Sequence, residues 1–263
     1  MSAQVTDEPD AFLRAAIRAA EQDPQAIGLL LHGSRATGSQ VRDDSDYDLI
    51  RVVTEDAYDE RRRHGELHRK TRHADGSASD VLDQTAERIG GYVMEPGWYT
   101  ATYLSARILF DRTGELAEIL ARMRSESGRI ARENVPEAYD DYLNRFVRSM
   151  KSARRGDELG RRLHAAESAP ALVRALFGLE STWPPYHDAL AGRLPAIEAA
   201  QGWPAGYLGG ALIRLVRGAD PTFQQELEAR VERLMDSRGT HHEWGTDLEA
   251  LKELRFDASG LIE

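Results

Sequence analysis

Apolar positions in the first half of the chain change spacing several times, and each change marks an element. Between Asp10 and Glu21, Phe12, Leu13, Ala16, Ile17 and Ala20 share a face at helical spacing, which predicts an amphipathic helix packed beside the first strand. Leu29 to Leu31 form a short apolar run that stops at Gly33-Ser34, as a buried strand does when it leaves its sheet and turns sharply. Ala36 to Asp44 is rich in Gly, Ser and acids and predicts a surface loop. Apolar and β-branched residues return from Asp46 to Val53, a second strand. The charged stretch Asp56 to Lys70, with Arg61-Arg62-Arg63, predicts a solvated helix. Ser79 to Ile89 predicts a short strand passing into a helix capped by Thr85, and Tyr99 to Asp111 a closing strand before the turn Asp111-Arg112-Thr113-Gly114.

Beyond Glu115 the spacing is helical almost throughout. Leu116, Ile119, Leu120 and Met123 form one stripe, and Leu143, Phe146, Val147 and Met150 another. Pro136, Pro170, Pro184-Pro185, Pro195, Pro204 and Pro221 predict breaks into helices of ordinary length, with a start at Asp220-Pro221. The pattern therefore predicts an α+β protein with two domains, a sheet-containing domain over residues 1–115 and a helical domain over 116–263, and 263 residues are enough for two cores.

Composition narrows the partners. A net charge of −10 speaks against a broad nucleic-acid surface, which needs clustered basic residues, and suits a cationic small molecule or plain solubility. No stretch approaches twenty apolar residues, and the N-terminus lacks a basic region followed by an apolar one, so a cytoplasmic protein without a membrane span is expected. The absence of cysteine excludes disulfides and thiolate metal sites.

The candidate chemistry lies where the first two strands meet. A glycine at position 33 lets a phosphate approach the main chain, the Ser34 hydroxyl adds a donor, and Arg35 offers a planar charged fork. After the loop, Ser45 leads into Asp46-Tyr47-Asp48, where strand alternation points Asp46 and Asp48 the same way. Two adjacent carboxylates repel, and a divalent cation between them relieves this. Mg²⁺ suits them because it takes hard oxygen ligands and keeps places for water and phosphate.

An apolar residue, Gly-Ser, a spacer of about ten residues and Asp-x-Asp in a strand make a pattern that resembles the nucleotidyltransferase superfamily related to DNA polymerase beta. The resemblance covers about the first 115 residues. It implies a mixed β-sheet with flanking helices, two Mg²⁺ ions, and attack of a substrate hydroxyl on the α-phosphate of ATP or another NTP. Gly33, Ser34, Arg35 and Ser45 would line the nucleotide, and Asp46 and Asp48 would hold metal. The superfamily also uses a third carboxylate on a later strand. Asp80 and Asp83 are the candidates here, on opposite faces by alternation; relatives with Asp, apolar residues and then Thr-x-Glu favour Asp80, while Asp83 could serve as an arginine's partner.

In the second half, Ala171 to Glu180 followed by Trp183-Pro184-Pro185-Tyr186 resembles the helical bundle domain of bacterial small-molecule nucleotidyltransferases, including the aminoglycoside and lincosamide enzymes. Many relatives have Asn where Glu180 stands and Lys where His187 stands. The resemblance implies transfer of AMP to a small hydroxyl-bearing acceptor such as those antibiotics, and a homodimer like those that some relatives form. Protein nucleotidylation and a non-catalytic nucleotide-binding regulator are the alternatives. The general base is open among Asp80, Glu95, Glu137, Asp140 and Glu180. Trp183 and Tyr186 suit either a bundle core or a cleft wall, and His187 and His241-His242 are expected at the surface.

Overall fold

The computed structural model describes residues 10–38, 41, 45–74, 76–95, 97 and 99–256; much of the loop expected over 36–44, and the N-terminal nine residues, lie outside them. The protein is α+β. Its chain forms two compact units, Met1–Ser127 and Gly128–Glu263.

The first unit is a five-stranded mixed sheet in the order β3-β4-β2-β1-β5. The strands are β1 (Ala26–His32), β2 (Tyr47–Val53), β3 (His68–Arg72), β4 (Ala78–Gln84) and β5 (Arg107–Asp111). Among the described strands β2 and β4 run parallel, and β1–β2, β1–β5 and β3–β4 are antiparallel. Alternation sorts the apolar residues between two faces. Leu30, Ile50 and Val52 pack with Ile89 and Val93 of α4 (Ala86–Met94), Tyr103 of α5 (Thr100–Ser105), and Leu116, Ile119, Leu120 and Met123 of α6 (Glu115–Glu133). Leu29, Leu31, Tyr47 and Leu49 pack on the other face with Leu13 and Ala20 of α1 (Ala11–Gln22). The two units divide inside α6, beyond the change of pattern at Glu115, because the first turns of that helix carry an apolar stripe into the sheet's core.

Local chemistry sets the element ends. Asp10 caps α1 by accepting from the Leu13 N–H at 2.9 Å, and its other oxygen takes the Tyr47 hydroxyl at 2.5 Å, so one carboxylate ties α1 to β2. Thr85 caps α4 as expected, accepting from the Arg88 N–H. The charged stretch expected as one helix is instead α3 (Glu55–His64) followed by β3. Gly65 ends α3 in the left-handed conformation (φ 72°), its N–H bonding back to the last turn, which frees His68–Arg72 to pair with β4. Tyr99 to Asp111 likewise divides into α5 and β5. Tyr103 belongs to the helix, where it is buried, and Ile108 to Phe110 form the strand.

The second unit is helical. Its helices are α7 (Val135–Arg154), α8 (Glu158–Leu179), α9 (His187–Leu190), α10 (Leu194–Ala200), α11 (Tyr207–Arg217), α12 (Pro221–Ser237) and α13 (Gly245–Lys252). Its core gathers Tyr142, Phe146, Leu172, Leu176, Phe177, Leu208, Leu227, Val231 and Leu248. Pro136, Pro195 and Pro221 sit in first helical turns, where a missing N–H costs nothing, and Asp220 caps α12 through the Phe223 N–H. Pro170 does not break the chain as expected. It lies inside α8, whose flanking Ala169, Ala171, Leu172 and Val173 are all buried, and that packing outweighs one lost ladder bond of about 3 kcal/mol. No helix among the described residues is long and apolar enough to cross a membrane.

Glu228 on α12 is buried within this interior, with 0% exposure. Its Oε1 lies 3.5 Å from the Tyr139 hydroxyl and 3.9 Å from Lys252 Nζ, while Oε2 has no hydrogen-bond partner among the described residues. Burial pushes its carboxyl up to about 8, against the pull of Lys252. The folded state thus favours the protonated acid. Its stabilising contribution is full below the ordinary value of 4.5 and is lost as pH rises through 8. Glu228→Gln should exceed the parent's unfolding free energy by about 3–5 kcal/mol at pH 9 and match it at about pH 4, as read by urea unfolding at both pH values.

Candidate active site

At the end of β1 the chain turns at Gly33 (φ 69°) into the single-turn helix α2 (Gly33–Thr37). The registers then align one row of side chains across four strands. His32 of β1 stands opposite Asp48 of β2, Asp48 opposite Asp80 of β4, and Asp80 opposite Lys70 of β3. Paired positions point to one face, so an imidazole, two carboxylates and an ammonium group share the end of the sheet. Asp46, just before β2, joins them, since its charge is felt at Asp48.

The electrostatics follow from this crowding. Burial, followed by the charges of Asp80 and Asp46, raises the Asp48 carboxyl above its ordinary value, and Lys70 and Arg35 only partly offset this. Burial likewise pushes the half-buried His32 down to about 4, so its imidazole is neutral at pH 7 despite the nearby Asp80. Asp80 differs. Burial works to raise its carboxyl, but hydrogen bonds from Lys70 and His68 outweigh that and hold it below the usual range. Lys70 Nζ lies 3.0 Å from Asp80 Oδ2, and His68 Nε2 bonds Oδ1. Among the described residues no three His, Asp or Glu side chains are gathered so as to hold a metal ion.

Asp83 points to the opposite face, as alternation requires. It is 1% exposed and bonded to Arg51 Nη2 at 2.7 Å and Arg61 Nη1 at 2.9 Å. That accounts for Arg61, which is an internal counter-ion here. Arg35 is also engaged: its Nε and Nη2 both donate to the Ser45 carbonyl, at 3.0 and 2.7 Å, and its guanidinium stacks 4.1 Å above the Tyr47 ring. It ties the Gly-Ser turn to the chain entering β2 and brings Ser45 and Ser34 to the same end of the sheet. Ser34 itself is half-buried in the first turn of α2.

Gly33 is required twice over. Its positive φ disfavours any L side chain, and a Cβ there would lie 2.2 Å from Asp48 Oδ2. Gly33→Ala should lower stability by about 1–3 kcal/mol, and Asp48→Ala in the same chain should restore part of it, because the obstructing group is that carboxylate. Thermal unfolding of the two single variants and the double variant measures the coupling.

Of the residues singled out in the sequence, Asp46, Asp48 and Asp80 come together with Gly33, and Ser34, Arg35 and Ser45 border them. In the helical unit, Glu180 pairs with Arg238 at 3.1 Å and Asp140 accepts the Trp244 indole N–H at 2.6 Å. Trp183 and Tyr186 are half-buried outside the helical core, which Trp203 closes instead. His187 is exposed, His241 pairs with Asp236, and His242 bonds Glu232. His32, His68 and Lys70 are additions. His32 adjoined the Gly-Ser step in plain view, but its place beside Asp48 depends on strand register. His68 and Lys70 were concealed in a run of charges that carries no alternation.

No family model matches the sequence, and no curated protein matches it. Among solved structures, a nucleotidyltransferase-like protein from Exiguobacterium sibiricum is similar over 84% of this chain and 72% of its own, at 12% identity and a TM-score of 0.49. At that distance the chemistry of the site has to follow from its own residues.

Proposed function

We propose that the protein is a Mg²⁺-dependent nucleotidyltransferase that moves a nucleoside monophosphate, AMP from ATP, onto a hydroxyl of a small molecule. The observation that carries this is Asp48: a half-buried carboxylate beside Asp46 and opposite Asp80, against a glycine turn with room for no side chain. Like charges held together at the open end of a sheet are costly unless a cation joins them. Their donors are all carboxylate oxygens, which fit a hard divalent ion.

Asp46 and Asp48, with Asp80, would hold the metal. Bound there, Mg²⁺ would neutralise the triphosphate and stabilise the departing pyrophosphate. The chain's own part is to position. Gly33 would open main chain to phosphate, and the Ser34 hydroxyl would donate to a phosphate oxygen. The acceptor oxygen attacks the α-phosphorus, the bond to pyrophosphate breaks, and the hydroxyl proton passes to a carboxylate of the site. Neutral His32 beside Asp48 contributes a hydrogen-bonding group without adding charge. The net charge of −10 favours a cationic acceptor, as aminoglycosides are, over a nucleic acid.

The test is to incubate the protein with Mg²⁺, each of the four NTPs and a pool of hydroxyl-bearing aminoglycosides and lincosamides, then weigh the acceptors. An acceptor heavier by one AMP, with pyrophosphate released in equal amount, is the expected result. Pyrophosphate release with no heavier antibiotic would remove these acceptors and leave the transfer chemistry standing.

A further inference from the structure

We infer that His68 and Lys70 form a displaceable cap on Asp80 that competes with a divalent cation for the third carboxylate of the site. The inference rests on the proposed metal-dependent function.

Three observations carry it. First, both oxygens of Asp80 are taken by one strand: Lys70 holds Oδ2 at 3.0 Å and His68 holds Oδ1. The two capping residues are i and i+2 on β3, so they share a face, and Lys70 is in direct register with Asp80. Second, Lys70 stands in the same row as Asp48, because Asp80 is in register with Lys70 on one side and with Asp48 on the other. Third, the cap is poorly anchored. β3 is an edge strand with every residue exposed, and the His68 and Lys70 side chains are 55% and 67% exposed, whereas Asp80 is 21% exposed.

A flexible ammonium in solvent leaves a carboxylate readily, and a metal with two charges is the stronger partner for three acids. While the cap is in place, both Asp80 oxygens are engaged by β3 and neither is open to a cation. Lys70 is thus a positioning residue. It holds Asp80, keeps the cluster from repelling itself apart before the cation arrives, and sets how much cation is needed.

The experiment is Mn²⁺ titration of the full chain without nucleotide, followed by electron paramagnetic resonance of the free ion, for the parent, Lys70→Met, Asp80→Asn and the Lys70→Met/Asp80→Asn double variant. Removing the competing charge should tighten Mn²⁺ binding in Lys70→Met by about tenfold, and the gain should vanish when Asp80 is also replaced. A lysine with a merely structural role would give unchanged or weaker binding on removal, and that result overturns the cap while leaving the metal site intact. Absence of Mn²⁺ binding in parent and Lys70→Met alike would overturn both the cap and the proposed function.

Discussion

Asp48→Asn should abolish nucleotidyl transfer, by at least about a thousandfold in the rate of pyrophosphate release, while leaving a protein more resistant to heat than its parent. A thousandfold is about 4 kcal/mol of transition-state stabilisation, a reasonable loss when the residue at the centre of the carboxylate row can no longer bear charge. The rise in stability follows from the sign of the Asp48 shift. Burial, then Asp80 and Asp46, raise its carboxyl, so ionising it works against the fold. Its contribution is full below the ordinary 3.8 and is lost as pH rises through the raised value. Asparagine keeps the shape and removes the charge. Activity and melting temperature should therefore move in opposite directions, which is expected of a strained functional site and not of a structural acid. A variant that loses both would show that Asp48 serves the fold.

Asp83→Ala should give the reverse result. This carboxylate is buried between Arg51 and Arg61, whose side chains are only 17% and 15% exposed. Removing it leaves two guanidinium groups facing each other, with Asp23 at 3.7 and 3.6 Å as the remaining acid and the Gln25 side chain accepting from Arg61 at 3.1 Å. Breaking a buried pair in this way costs about 3–5 kcal/mol. Asp80→Asn, whose partners are exposed, should change stability by less than about 1 kcal/mol. Urea unfolding reads both. The folded fraction of Asp83→Ala should still bind Mn²⁺, because residue 83 points to the face away from Asp48. Equal stability losses at 80 and 83 would contradict the assignment of one carboxylate to the site and the other to the scaffold.

These two acids also show what the sequence could and could not reveal. Three residues apart on one strand, they had to point to opposite faces, and alternation alone said that only one could join Asp46 and Asp48. The Gly-Ser turn, the Asp-x-Asp strand, the Thr85 cap and the helical second half were equally legible, since each depends on near neighbours in the chain. What escaped was whatever depends on partners far away. Arg35 had the look of a phosphate ligand, yet its guanidinium bonds the Ser45 carbonyl ten residues on. Lys70 fell in a run of charges where no apolar spacing marks the end of α3, and only the left-handed turn at Gly65 shows that a new strand follows. Pro170 carried a local signal for a break that the buried flanks of α8 override. Glu228 appeared as one acid among many on an amphipathic helix, and nothing local distinguishes it from the exposed Glu226 and the half-buried Glu232.

The central claim is that nucleotide and metal bind one site built by Asp46 and Asp48 at the Gly33 turn. Isothermal titration of ATP into the protein, with and without Mg²⁺, tests it most directly. The account predicts that ATP binds measurably only when Mg²⁺ is present, and that Asp46→Asn/Asp48→Asn removes the metal-dependent part. ATP binding of equal strength in the absence of Mg²⁺, unchanged in that variant, would contradict it and mark the protein as a nucleotide sensor whose carboxylates do not take part.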